Sequence, residues 1–215
     1  KQWIRWRIAA DGGAAVQREP FTPPAKNDGY LARLTPDLRS VVTCRVDDRE
    51  DRLVVRDLPS GAVRHTIPVR VTEPRFLCIS PDAAWVATTG TKSNKSVRVW
   101  ESATGQVRFA RDLENSAFCM ASTPDGRFLA LDVTDMSRTT NNKVVFLDAA
   151  TGEKAFSLPT RRQVVMALAF TPDGRYMAAG FNGAVQIWDV PARKLVRTIE
   201  GFERVVTRLA FGPGG

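Results

Sequence analysis

One histidine, three cysteines and two tyrosines in 215 residues leave little from which to build a catalytic or metal centre. His65 alone cannot supply a His-centred metal cluster, and no Cys-x-x-Cys spacing exists among Cys44, Cys78 and Cys119, so no metal, cofactor or catalytic residue is expected. An odd number of cysteines cannot all pair within one chain. Buried free thiols are expected, which fits a reducing compartment, and a cytoplasmic location is the corresponding expectation. No apolar run approaches the ~20 residues a membrane helix needs, so no membrane contact is expected. The chain opens Lys1-Gln2-Trp3 without Met or an apolar leader; no targeting peptide is expected, and it reads as an excerpt of a longer, multidomain chain. A single-signed charge block is also missing. The formal charge is +8, but the basic residues are scattered among acidic ones, which favours a solvated surface and leaves nucleic-acid binding a minor alternative.

What the sequence does have is a turn that recurs. Thr35-Pro36-Asp37-Leu38-Arg39, Ser80-Pro81-Asp82-Ala83-Ala84, Thr123-Pro124-Asp125-Gly126-Arg127 and Thr171-Pro172-Asp173-Gly174-Arg175 are near-copies, and Gly212-Pro213-Gly214-Gly215 is a degenerate fifth. Successive prolines stand 45, 43, 48 and 41 residues apart, a period that marks a repeat architecture. Ser or Thr bonds locally to backbone, Pro pre-sets φ, Asp suits the third place and Gly tolerates positive φ at the fourth, so a type I turn leading into a bulge is expected.

The flanks alternate with period two, which means strands. Before the turns stand Leu77 and Ile79, Leu168 and Phe170, and Leu209 and Phe211; the place between them holds Cys78, Ala169 or Ala210, so something packs close on that face. After the turns come Trp85, Phe128 and Tyr176, with Ala87, Ala130 and Ala178 two further on. Third strands begin at Leu53, Val97, Val144 and Val185 and end Arg56-Asp57, Trp100-Glu101, Leu147-Asp148 and Trp188-Asp189, and a turn at Gly61, Gly105, Gly152 or Arg193 leads into a fourth. Each unit is an antiparallel four-stranded meander. The expected units are 30–67, 75–111, 116–158 and 164–199, preceded by third and fourth strands of a partial unit over 1–18 and followed by a lone first strand within 205–215.

This pattern resembles the WD-repeat family of β-propellers, carried by Trp188-Asp189, Trp100-Glu101 and the four Ser/Thr-Pro-Asp turns. The resemblance spans essentially the whole chain and implies an all-β propeller of four-stranded antiparallel blades, about four and a half of them, forming part of a larger ring. It departs from the family in lacking the Gly-His pair: the corresponding place in the last connection reads Gly201-Phe202. The family's buried hydrogen-bond network is therefore not carried over to any unit. Rigidity is expected from packing of Trp85, Phe128 and Tyr176 between blades.

Loop lengths locate a candidate site. From Gly12, Gly61, Gly105, Gly152 and Arg193 to the next Pro the distances are 24, 20, 19, 20 and 20 residues; from each Pro to the next third strand they are 17, 16, 20 and 13. The first-to-second and third-to-fourth turns keep their register, while the second-to-third hairpins vary. In a meander those hairpins and the connections between units emerge on one face, so variation gathers on one rim, where recognition is free to evolve. There unit one carries Asp47, Asp48, Glu50 and Asp51, whereas units two to four carry Lys92, Lys95, Arg138, Lys143, Arg161 and Arg162. The expected function is a non-enzymatic protein-interaction scaffold whose basic sector takes a protein or acidic peptide. The alternative is a propeller enzyme or cofactor-binding domain using the central channel. The acidic hairpin lacks EF-hand spacing and contains Arg49, so a solvated turn is favoured over calcium.

Overall fold

A computed structural model describes residues 3–7, 17–21, 31–35, 37–45, 52–58, 60–69, 76–90, 95–134, 142–160 and 164–212. Its recurring unit is set by the first side chain of each turn. Thr171 Oγ1 donates to Asp173 Oδ1 at 2.5 Å and accepts the N–H of Tyr176 at 2.9 Å, while Asp173 Oδ1 accepts the N–H of Arg175 at 3.0 Å. Thr35, Ser80 and Thr123 make the same three bonds with their own neighbours. The fourth residue of every turn is left-handed, with φ of 55° at Leu38, 59° at Ala83, 69° at Gly126 and 71° at Gly174. The backbone geometry is thus kept even where glycine is absent.

Among the described residues eighteen strands follow in order: β1 (Trp3–Arg7), β2 (Gln17–Phe21), β3 (Leu31–Leu34), β4 (Ser40–Arg45), β5 (Arg52–Asp57), β6 (Val63–Pro68), β7 (Phe76–Ile79), β8 (Trp85–Thr89), β9 (Ser96–Glu101), β10 (Val107–Asp112), β11 (Met120–Ser122), β12 (Phe128–Val133), β13 (Lys143–Asp148), β14 (Lys154–Pro159), β15 (Ala167–Phe170), β16 (Tyr176–Gly180), β17 (Asn182–Asp189) and β18 (Lys194–Val205). β1 and β2 form a two-stranded antiparallel sheet. The other sixteen form four antiparallel meanders, β3–β6, β7–β10, β11–β14 and β15–β18, described below as the first to fourth blades. β3, β7, β11 and β15 are the innermost strands and lie beside one another in succession. Among the described residues no helix is long and apolar enough to cross a membrane.

The middle strands are apolar on both faces because each face meets a different blade. On β13, Val144 and Phe146 pack towards Met177, Ala179 and Trp188 of the fourth blade, while Val145 and Leu147 join Val97, Val99 and Phe109 of the second. Between the first two blades, Val42, Leu53, Val55 and Ile67 meet Leu77, Val86 and Trp100. Each such side chain removed from water contributes about 1.5–3 kcal/mol, so the stacking of blades, not any single sheet, holds the array together.

Trp85 is buried and its indole N–H donates to Gly126 O at 3.2 Å, tying the second blade's turn to the third's. Phe128 and Tyr176 are only half-buried, with the guanidinium of the preceding Arg127 or Arg175 over the ring at 4.9 and 5.1 Å. The turns also touch: a Cβ on Gly126 would lie 3.7 Å from Pro81 and one on Gly174 3.5 Å from Pro124. These corners share one face.

Two expectations change. The fourth strand of the last blade does not stop at 199, and the lone first strand expected over 205–211 does not form: β18 runs to Val205, and 206–212 carries no strand. The second-to-third hairpin of this blade is the shortest, so β17 starts early at Asn182 and its extra backbone pairs with Val205. Among the described residues no strand pairs with 206–212. Cys119 lies just before β11 and not within a strand; it is nevertheless buried, as are Cys44 and Cys78, and none of the three is in a disulfide.

Candidate interaction rim

The two rims of the array differ in how their polar groups are used. On the turn rim, each Asp of a Ser/Thr-Pro-Asp turn accepts bonds from its own turn, and the Thr35 and Thr171 hydroxyls hold the Asp37 and Asp173 carboxyls below their usual pKa range. Backbone bonds then join the two hairpins of every blade: Leu58 N–H to Arg39 O, Ser102 to Ala84, Ala149 to Arg127 and Val190 to Arg175, all at 2.8–2.9 Å. That rim repeats one scheme four times and spends its groups on itself.

Of the site residues expected from sequence, Lys95 and Lys143 are described, and both lie at the opposite rim. Lys92, Arg138, Arg161 and Arg162 lie outside the described residues, as do Asp47, Asp48, Glu50 and Asp51. Lys95 is exposed, and its carbonyl accepts the Leu113 N–H at 2.6 Å. Lys143 opens β13, half-buried, with Nζ 2.7 Å from Glu114 Oε2. The structure therefore brings Lys95 and Lys143 to the same connection between the second and third blades. Glu114, which sequence reasoning passed over, shares Lys143's charge; the Lys143 ammonium holds the Glu114 carboxyl below its usual range, and Lys154 adds to this.

Below this point a groove of about 250 Å³ opens between β10 and the β13–β14 hairpin. Leu113, Val145 and Leu147 line its apolar part, and Lys143 and Glu114 stand at the rim end. Arg111, paired with Glu153, crosses it further down. The groove exists because of Arg111: paired with Val97, it holds the outer-strand place that Ile67 and Leu158 fill in the first and third blades, opposite Leu53 and Val144. An arginine there reaches across to the next blade without filling the gap as an aliphatic side chain does.

A second feature missed at the sequence level is Asp132, on β12 at the rim end and fully buried. Its signal was present: two residues past Ala130 on the alternating series, a carboxylate stands where the neighbouring blades have Thr89 and Gly180. Towards the channel, the central places of the innermost strands hold Arg33, Cys78, Ala121 and Ala169. Burial, then the nearby Arg208, lowers the Arg33 pKa, and burial raises the Cys78 thiol to about 11, so this thiol is no nucleophile at neutral pH. Among the described residues no three His, Cys, Asp or Glu side chains gather as a metal site.

Comparison with known proteins agrees with this architecture. Residues 65–101 and 152–189 match the family described as WD domain, G-beta repeat. WD repeat-containing protein 62 of Sus scrofa is 41% identical over 61 residues, 27% of this chain and 4% of that protein. Protein ANTHESIS POMOTING FACTOR 1 of Arabidopsis thaliana is 36% identical over 78 residues, 35% of this chain and 24% of that one. U3 snoRNP-associated protein-like YAOH of Oryza sativa subsp. japonica is 37% identical over 54 residues, 25% and 11% of the two chains. The chain thus spans a quarter or less of the curated relatives it matches. Among solved structures, the Cps50 (Swd1) β-propeller domain of Myceliophteria thermophila superposes with a TM-score of 0.69 at 15% identity, covering 89% of this chain and 61% of that one. A chain of Kuenenia stuttgartiensis hydrazine synthase gives 0.65 at 18%, covering 86% and 51%. At such identities the structures speak for the fold alone, and with the four blades they make this chain a β-propeller array, open rather than closed into a ring, in which residues 65–101 and 152–189 are similar to WD repeats.

Proposed function

We propose that the protein is a non-catalytic interaction scaffold whose variable rim, over the second to fourth blades, receives a protein partner through an acidic segment. The single observation that carries this reading is the contrast between the rims: one consumes its polar groups in a fourfold repeated scheme, while the other sets Lys95 and Lys143 beside a groove with an apolar floor. Arrays with WD repeats commonly serve as interaction scaffolds, and Lys92, Arg138, Arg161 and Arg162 extend the same basic sector along the sequence. An acidic segment would displace Glu114 from Lys143, exchanging one exposed ion pair for another at little net cost, and bury apolar side chains on Val145 and Leu147. Three buried cysteines, none in a disulfide, fit a reducing compartment such as the cytoplasm.

The test is binding of an acidic, Leu-containing peptide panel by fluorescence anisotropy to the parent protein and to the double variant Arg161→Glu, Arg162→Glu. Weakening of tenfold or more, with affinity falling as salt rises, is expected. Equal affinity for both proteins removes the basic sector from the reading.

A further inference from the structure

We propose that Asp132 is a proton-operated latch between the third and fourth blades: neutral, it closes the junction at the rim, and ionised, it loosens it. The position sits at a seam. Asp132 ends the alternating run of β12 that faces the fourth blade through Ala130, and its own N–H donates to Cys119 O at 3.1 Å. Its side chain is fully buried. Thr134 Oγ1 lies 2.9 and 2.8 Å from its two oxygens, and the backbone N–H of Val165, in the lead-in to β15, is its donor from the fourth blade. The carboxyl therefore joins two blades through one side chain.

The repeat supplies an internal control. In the fourth blade the matching place is Gly180, where a Cβ would come within 2.9 Å of Val206, and Val206 stands seven residues before Pro213 as Val165 stands seven before Pro172. There the incoming segment packs directly on backbone; at Asp132 a titratable group fills the same seam. In the second blade the place holds Thr89, whose hydroxyl is buried and has no hydrogen-bond partner. Only the third blade has an acid there.

Among the described residues no Lys or Arg makes an ion pair with Asp132; Lys143, on the neighbouring strand, is engaged with Glu114. The titratable neighbour within the third blade is Cys119, whose thiol is raised by burial first and by Asp132 second, so it stays neutral. Facing Asp132 on β13 is Val144, and on the lead-in to β15 Val165, neither of which carries charge. Burial pushes the carboxyl up to about 7, against the bonds from Thr134 and Val165 that favour the anion. The sign follows. The folded-state value lies above the ~3.9 of an unfolded Asp, so the stabilisation is complete below about pH 4, is lost as pH rises towards 7, and is gone above it. The latch is shut in mild acid and released just above neutrality.

The experiment has two arms on the same protein. Carbon-detected NMR of the Asp132 carboxyl should show a midpoint near pH 7. Hydrogen exchange should show protection at Val165 and residues 166–168 falling from pH 5 to pH 8 by about tenfold per pH unit up to the midpoint, after correction for intrinsic rates. Asp132→Asn, which keeps an oxygen for Val165 and an amide for Thr134 Oγ, should flatten that dependence. A midpoint near 4, or an equal fall in the Asn variant, overturns the proposal; should the Asn variant not fold, the carboxyl midpoint alone decides.

Discussion

Leu38 holds a φ of 55° at the place where Gly126 and Gly174 hold 69° and 71°, and its side chain is exposed. The turn's six-residue hydrogen-bond scheme demands left-handed backbone there, so Leu38 bears a cost of about 1–2 kcal/mol that glycine would not. Part of that is offset because glycine gains freedom in the unfolded chain. Leu38→Gly is expected to raise stability by about 0.5–1 kcal/mol, and Gly174→Ala to lower it by about 1 kcal/mol, both read from urea midpoints. If the leucine variant unfolds earlier than the parent, the turn is not the strained element it is taken to be. At Trp85 the question is the indole N–H bonded to Gly126 O. Trp85→Phe keeps much of the ring and loses that bond, with an expected loss of about 1 kcal/mol plus the smaller ring's packing, measured the same way.

Strands and hairpins were legible to different depths. The four turns and the strands flanking them follow from Pro, Asp and period-two alternation, which are local properties. The end of β18 was not legible, because it depends on how far β17 reaches past the shortest hairpin, a matter of pairing between segments. Nor was the engagement of Lys143 with Glu114, since nothing in the spacing of residues 114 and 143 sets them side by side before the blades stack. Asp132 was visible as an oddity of pattern, yet its burial depends on the fourth blade covering it. The seam between the second and third blades offers an element-scale test. Gly152 has φ 73°, and a Cβ there would lie 2.5 Å from the ring of Phe109. Gly152→Ala must displace that ring and accept left-handed backbone, for an expected loss of about 2–4 kcal/mol in chemical denaturation. In the fourth blade Arg193 takes the matching place at φ 53° and lays its guanidinium over Phe156 at 4.7 Å, so a side chain is accommodated there.

Over the whole molecule, the proposed function assigns stability and recognition to opposite edges of the same stack. Every blade closes on the turn rim with shared bonds, and the turns pack on one another through Gly126 with Pro81 and Gly174 with Pro124. Under the proposed function, charge on that rim is incidental to partner binding, whereas charge at Lys95, Lys143, Arg161 and Arg162 is central to it. The most direct measurement compares two charge-reversal variants against the same acidic peptide panel at matched salt: Lys95→Glu with Arg161→Glu on the variable rim, and Arg127→Glu with Arg175→Glu on the turn rim, where both arginines are exposed. The account predicts affinity reduced tenfold or more for the first and changed less than twofold for the second. Loss confined to the turn-rim variant would contradict it.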